Sequence, residues 1–186
     1  MSEMNLSDEE KRTLLKLARE VIESRARGEE APPLPETTSP ALESKAGVFV
    51  SLHSAGLLRG CIGYIQPDMS LLMGVQRSAA NAAFDDSRFA PVNREETQDL
   101  EIEISLLTPP SPVESYDMIE IGKHGIILEK RGARALFLPQ VATENKWDLP
   151  TTLTFLARKA GLAPDSWREG ARFSVFESII ISEKDL

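Results

Sequence analysis

Two stretches of the chain have the alternating apolar pattern of a β-hairpin, and each is followed by a segment with the spacing of a helix. The first stretch, GVFVSLHSAGLLRGCIGYI, predicts strands at 47–52 and 57–65 joined by a turn at 53–56. The second, HGIILEKRGARALFLPQ, turns at 131–133. Because a tight turn joins antiparallel strands, this pattern predicts an α+β fold, an antiparallel β-sheet with packed helices.

The two hairpins also align with each other. When they are set in register, Gly47 falls on Gly125 and Leu58 falls on Leu136, and a helix follows each hairpin. The match fits a duplicated strand-strand-helix unit, and it fits equally well the common patterning of unrelated hairpins.

The chain before the first hairpin divides into a helix and an extended arm. Ser7 and Glu10 have the spacing of a capping box, and apolar residues then recur at helical spacing, which predicts a helix at about 7–27. From about 28 to 44 the sequence is rich in proline, which removes backbone donors and predicts an extended arm that wraps the domain. An α+β core is predicted at about 45–184.

Within this core, two helices are predicted at 69–84, capped by Asp68, and at 150–160. The segment DLEIEISLL alternates acidic and apolar residues, as a half-exposed strand does. The segment TPPSPV must leave the strand ladder or run along an edge, because proline cannot donate a backbone hydrogen bond. The chain has 186 residues, enough to bury one core, and residues 1–186 are predicted to form a single domain.

Charge and cysteine content exclude several classes of function. With 29 acidic and 21 basic residues the net charge is −8, so a nucleic-acid partner is not expected. No apolar stretch reaches about 18 residues, so we expect no membrane segment. A single cysteine cannot form an internal disulfide, and the acidic N-terminal residues are unlike a signal peptide, so we expect a cytoplasmic protein. The chain lacks the common metal-binding and nucleotide-binding motifs, and neither a metal nor a cofactor is predicted.

The stretch LLRGCIGYIQP contains this cysteine, Cys61, near Gly60 and Gly63. Strand alternation places Arg59 and Cys61 on one face, about 7 Å apart, and Leu58 with Gly60 on the other face. A guanidinium at that distance favours the reactive thiolate, and the glycines allow a ligand to approach the backbone closely. The alternative is a structural cysteine that packs as a small apolar residue.

Other polar residues extend this candidate site. Arg59 needs a carboxylate, a carbonyl or a bound anion, and Asp85 and Asp86 are its predicted protein partners. Asp86 and Arg88, in the turn AAFDDSRFAPV, either contact a ligand or form a salt bridge at the end of a helix. His124, in GKHGI, either titrates near neutral pH within a site or is an exposed turn residue.

Seven motifs follow one another along the chain: GVFVSL, GLLRGCIGYIQP, AAFDDSRFAPV, LEIEISLLTPP, IGKHGIIL, LFLPQVATENKWD and KAGLAPDSW. In this order, and over roughly residues 14–183, the chain resembles the AMMECR-type domain family. The most specific of the shared pieces is LRGCIG, at 58–63.

The resemblance implies an α+β fold with an antiparallel sheet and two unequal lobes, with the LRGCIG strand in a cleft. It also implies an association, by gene neighbourhood or fusion, with a Memo-like protein and a radical S-adenosylmethionine (radical-SAM) enzyme, the AmmeMemoRadiSam system. The chain departs from the family at Ser87, where the family usually has proline. We therefore expect the Asp86–Arg88 turn to keep its charges and to lose some rigidity.

Three functions are compatible with these features. The first is an accessory protein or enzyme subunit that binds an unidentified small molecule, with the candidate binding residues Arg59, Gly60, Gly63, Asp86, Arg88 and His124. The second is a non-catalytic scaffold that binds the two partner proteins. The third is a thiol-dependent enzyme in which Cys61 is the catalytic nucleophile.

Overall fold

The structure, a computed structural model, describes residues 6–185 and divides the chain into two compact units. The first unit runs to Thr108 and resumes at Ile179, and the second spans Pro109–Ser178. Over the described residues the chain forms five α-helices and eight strands, arranged in two four-stranded antiparallel sheets. The α+β fold with antiparallel sheets is as the hairpin pattern predicts.

The helices are α1 (Asp8–Ala26), α2 (Pro40–Glu43), α3 (Leu71–Phe84), α4 (Pro139–Glu144) and α5 (Leu149–Lys159). The strands are β1 (Gly47–Ser54), β2 (Leu57–Tyr64), β3 (Leu100–Leu107), β4 (Ser111–Val113), β5 (Gly125–Lys130), β6 (Ala133–Phe137), β7 (Arg172–Phe176) and β8 (Ser178–Ser182). Short 3₁₀ turns lie at Glu96–Asp99, Tyr116–Met118 and Glu183–Asp185.

Helix α1 begins at the predicted capping box. The backbone N–H of Ser7 donates to Glu10 Oε2 (2.7 Å), and the backbone N–H of Glu10 donates to Ser7 Oγ (3.3 Å). Two of the free donors at the helix start are thereby satisfied. The apolar stripe of the helix is buried in the core of the first unit: Leu14, Leu15, Leu17, Ala18, Val21 and Ile22.

The sheet of the first unit has the strand order β2-β1-β3-β8, and α3 packs on it beside α1. Helix α3 is rich in alanine and small residues on its buried face, which lets it lie close to the strands. Its cap is Ser70, whose Oγ accepts from the Met73 N–H at 3.4 Å. The prediction that Asp68 caps this helix was wrong, because the helix begins two residues later, at Leu71.

The first hairpin turns at Ala55 and Gly56, which both have positive φ, +50° and +78°. This is the geometry of a two-residue turn that matches the twist of antiparallel strands. The turn is shorter than predicted, so β1 continues to Ser54.

The proline-rich arm is attached to α1 and α3 of the first unit. Gln76 on α3 donates to the carbonyl of Pro32 (2.7 Å), and Ser39 Oγ donates to the carboxylate of Glu10 on α1. The arm ends in the short helix α2, which Ser39 also caps. Within residues 6–185, no helix is both long enough and apolar enough to span a bilayer.

The second unit has its own sheet, in the order β4-β7-β5-β6, and its own apolar core against α5. Helix α5 is capped by Asp148, whose carboxylate accepts from the Thr151 N–H (2.9 Å). The Pro-rich segment after β3 supplies β4, which lies at the sheet edge as proline requires.

Both sheets repeat one arrangement. In the first unit a hairpin (β1-β2) is followed by α3 and then by β3, which pairs with β1. In the second unit a hairpin (β5-β6) is followed by the short helix α4, by α5 and then by β7, which pairs with β5. The fourth strand of each sheet lies beside the third and comes from outside this repeat. The common order supports a duplicated strand-strand-helix unit.

Candidate functional site

Strand β2, which carries LRGCIG, is an edge strand with a bulge at Arg59. Leu52 pairs with Gly60 and His53 pairs with Leu58, so Arg59 is an extra residue between them. The bulge interrupts the predicted alternation. Leu58 is therefore on the exposed face that His53 occupies, and the prediction that it shares a face with Gly60 was wrong.

The two glycines of the motif are required by packing inside the first unit. A Cβ on Gly60 would lie 2.2 Å from the carbonyl oxygen of Ala82 on α3. A Cβ on Gly63 would lie 2.3 Å from the ring of Phe49, which pairs with it across the hairpin. The space beside both glycines is therefore filled by protein atoms.

Asp86 and Arg88 bind the free edge of β2 at Cys61. The Cys61 N–H donates to Asp86 Oδ2 (2.9 Å), and Arg88 Nη2 donates to the Cys61 carbonyl (3.2 Å). Arg88 also forms a bidentate ion pair with Asp86, at 2.7 Å and 3.0 Å. Together the two side chains satisfy the backbone groups that a neighbouring strand would otherwise satisfy.

The Asp86 carboxylate is buried, with 4% of its side chain exposed, whereas 55% of the Arg88 side chain is exposed. Hydrogen bonds from Arg88 hold the pKa of Asp86 well below its usual range, although burial opposes this, and the Cys61 N–H lowers it further. The same contact raises the pKa of Arg88. The pair is therefore fully charged at neutral pH.

Cys61 is a partly buried residue, and its sulfur accepts a hydrogen bond from Ser51 Oγ at 3.2 Å. Ser51 and Cys61 are directly opposite each other on β1 and β2, with the backbone groups of Cys61 turned outward. Such non-hydrogen-bonded pairs bring side chains close together, which accounts for the contact. A catalytic role of Cys61 stays a prediction.

Arg59 forms its ion pair with Glu96, so the predicted pairing with Asp85 or Asp86 was wrong. Arg59 Nε lies 3.0 Å from Glu96 Oε1, and Nη2 lies 3.2 Å from Oε2. Only 17% of the Arg59 side chain is exposed, and its Nη1 is buried without an acceptor among the described residues. The guanidiniums of Arg59 and Arg88 lie 6.0 Å and 5.4 Å from the centre of the Phe89 ring.

Glu96 was missed because its contact with β2 joins segments far apart in the sequence. A local signal does exist, since Asn93 and Glu96 have capping-box spacing. Asn93 Oδ1 accepts from the Glu96 N–H (3.0 Å), and the Asn93 N–H donates to Glu96 Oε2 (2.9 Å). The hydrogen bonds from Arg59, and then from Asn93, lower the pKa of Glu96. The capping-box pattern predicts that Glu96 is ordered, but it does not identify Arg59 as the partner of Glu96.

We expect Glu96→Ala to lower the free energy of unfolding by about 2 kcal/mol, because it leaves a mostly buried guanidinium without a counter-charge. Urea denaturation measures the change. The matched control is Glu95→Ala, which removes an exposed carboxylate one residue away and should change stability by less than about 0.5 kcal/mol. Equal losses in the two variants would show that the Arg59 contact adds nothing.

Of the predicted site residues, Arg59, Gly60, Cys61, Gly63, Asp86 and Arg88 all belong to the first unit. His124 belongs to the second unit, where its Nδ1 accepts from the Glu120 N–H at 3.0 Å. Its role in a site stays a prediction. Residues 6–185 contain no group of three or more His, Cys, Asp or Glu side chains that could hold a metal ion.

Proteins of similar sequence and fold identify the family of this chain. The model of the AMMECR1 family matches residues 15–181, most of the chain. The chain belongs to the AMMECR1 family. Among its relatives is an AMMECR1-family protein of Methanosarcina acetivorans that is 42% identical over 188 residues, which is 97% of this chain and 94% of the relative. Protein MJ0810 of Methanocaldococcus jannaschii is 38% identical, and the match covers 96% of this chain and 92% of the relative.

An experimental structure supports the AMMECR1 fold. The chain is similar to uncharacterized protein PH0010 of Pyrococcus horikoshii, solved by crystallography, with a TM-score of 0.84 and 37% sequence identity. The similarity covers 94% of this chain and 92% of the archaeal one. Membership of the AMMECR1 family, predicted from the ordered motifs, is therefore confirmed.

Proposed function

We propose that this AMMECR1-family protein is an accessory subunit that binds a small anionic ligand beside the LRGCIG strand and acts with a Memo-like protein and a radical-SAM enzyme. The main observation in favour of a bound anion is the buried Nη1 of Arg59. It has no acceptor among the described residues, although buried donors in native proteins nearly always have one. A carboxylate or phosphate oxygen is the acceptor that a guanidinium prefers.

A second guanidinium supports the same ligand class. Arg88 is half exposed and uses Nε and Nη2 for Asp86 and Cys61, so its outer side faces solvent. The centre of the Phe89 ring lies within 6.0 Å of both guanidiniums and adds an apolar surface beside them. Two cations around one aromatic ring suit an anion that also has an apolar or aromatic part.

This arrangement favours ligand binding over chemistry at the sulfur. Asp86 and Arg88 contact the backbone of Cys61, not its sulfur, and these contacts hold the edge strand in place. The packing of Gly60 and Gly63 likewise gives the motif a structural role. The association with the two partner proteins rests on the family resemblance, and co-purification of the three proteins tests it.

Thermal unfolding in the presence of benzoate, phenyl phosphate or inorganic phosphate tests whether the folded protein binds an anion. At about one hundred times its Kd, a bound anion should raise the Tm by about 5–10 °C, because it binds the folded state alone. Arg88→Gln should abolish the rise. Arg12→Gln, which removes an exposed cation from α1, should keep it.

Sodium chloride at equal ionic strength controls for general salt effects. The proposal fails if none of the three anions raises the Tm beyond the chloride control. It also fails if Arg88→Gln responds as the unmodified protein does.

A further inference from the structure

Three neighbouring aromatic rings of the second unit carry two cations over their faces, and a third cation, Lys146, adjoins Trp147 in the chain. We call this surface the aromatic-basic patch; its residues are Phe137, Lys146, Trp147, Phe155, Arg158 and Lys159. It lies on β6, on the loop between α4 and α5, and on α5 itself. None of these residues takes part in the proposed ligand site.

The rings are joined in a row centred on Trp147. The Trp147 and Phe155 rings stack face to face, 4.3 Å apart with an angle of 8° between their planes, and the Phe137 ring lies 6.0 Å from Trp147 at an angle of 50°. All three rings are partly exposed. By contrast, Trp167 in the same unit is buried and its indole N–H donates to Thr154. Trp147 is therefore partly exposed, whereas Trp167 lies in the core.

Cations lie over both ends of this row. The Lys159 ammonium is 4.9 Å from the centre of the Phe137 ring, and the Arg158 guanidinium is 5.5 Å from the centre of the Phe155 ring. Both are exposed, as is Lys146. Within the described part of the chain no carboxylate lies within 4.0 Å of any of the three. The Lys159 ammonium donates to the Leu136 carbonyl (2.9 Å), and in a protein of net charge −8 the three exposed cations without an ion pair can attract an acidic partner.

The backbone around Lys146 positions this surface at a conformational cost. Helix α4 ends with the Lys146 N–H bonded to the Thr143 carbonyl and the Trp147 N–H bonded to the Ala142 carbonyl. This is the Schellman arrangement, in which the residue at the position of Lys146 is usually glycine. Lys146 has φ of +56°, a conformation that lysine rarely adopts. Such an outlier is a reason to consider a function for the side chain.

We propose that the aromatic-basic patch docks an acidic segment of another protein that carries aromatic side chains. Exposed Trp and Arg are the residues that contribute most at protein interfaces, and the cations match carboxylates in charge. A protein segment suits the patch better than a nucleic acid, because the net charge of −8 repels a phosphate backbone.

Binding of a fluorescent random copolymer of glutamate and tyrosine, measured by fluorescence anisotropy at low salt, tests this proposal. The double variant Arg158→Glu/Lys159→Glu should weaken binding about tenfold or more. The control Arg12→Glu/Lys16→Glu changes the net charge equally on exposed positions of α1 and should keep the affinity within about twofold. Trp147→Ala should also weaken binding.

Because Arg158 and Lys159 lie in the last turn of α5, the Tm of every variant is measured alongside, and binding is compared only between folded samples. Three results would overturn the proposal: no binding of the copolymer by the unmodified protein, equal losses in the variant and the control, or tighter binding of oligo(dT) at the same patch. The last result would make it a nucleic-acid surface.

Discussion

Gly60→Ala is expected to lower the free energy of unfolding by about 3 kcal/mol or more. The added methyl group would lie 2.2 Å from the carbonyl oxygen of Ala82 and 3.1 Å from its carbonyl carbon. Both are backbone atoms within α3, so no side chain can move aside, and either the strand or the helix must shift. Urea denaturation, together with hydrogen exchange of the β2 and α3 amides, measures the loss.

The matched control is Gly132→Ala, in the turn of the second hairpin. Gly132 has φ of +83° and no atom within 4 Å of the position of a Cβ, so the substitution costs only the strain of a left-handed backbone, about 1–2 kcal/mol. If Gly60→Ala costs no more than this control, the packing of α3 on β2 is looser than the contact implies.

Asp86→Ala is expected to lower the free energy of unfolding by about 2–3 kcal/mol. It leaves the Cys61 N–H without an acceptor and Arg88 without its counter-charge, and the half-exposed position of Arg88 reduces the penalty below that of a fully buried pair. Asp86→Asn keeps an acceptor oxygen and should lose about half as much. If both variants are as stable as the original protein, the edge of β2 does not need the contact.

The low pKa of Asp86 also gives this contribution a pH dependence. The pKa of Asp86 is lower in the folded state than in the unfolded chain, where it is about 4. The ionised carboxylate therefore stabilises the fold fully above about pH 4, and this stabilisation is lost as the pH falls towards the pKa of the folded state. Denaturation at a series of pH values from neutral to strongly acidic should show a steeper loss below about pH 4 in the original protein than in Asp86→Asn. Parallel curves would contradict the assignment.

The parts of the fold that follow from local patterns could be predicted from the sequence. The capping box of α1, the two hairpins and the edge position of TPPSPV each depend on residues close together in the chain. The bulge at Arg59 could not be predicted, because it depends on how β1 and β2 pair and adds one residue to an otherwise regular alternation. One such residue moved Leu58 to the opposite face.

The candidate site was predicted in part for a similar reason. Asp86 and Arg88 were identified as a charged pair near the motif, and the structure brings both onto the backbone of Cys61. The partner of Arg59 could not be deduced, because several acidic residues were available and only the path of the chain after α3 selects Glu96. The aromatic-basic patch likewise combines residues from β6, a loop and α5.

The position of β8 in the chain has a consequence for the synthesis of the protein. Strand β8 completes the sheet of the first unit but is translated after the whole second unit. Glu183, which follows β8, then accepts hydrogen bonds from Arg19 on α1 (2.6 Å) and from the Ile102 N–H on β3 (3.0 Å). A nascent chain therefore exposes the edge of β3 until its last strand has left the ribosome, and a prematurely terminated product would present that edge to other chains and to proteases.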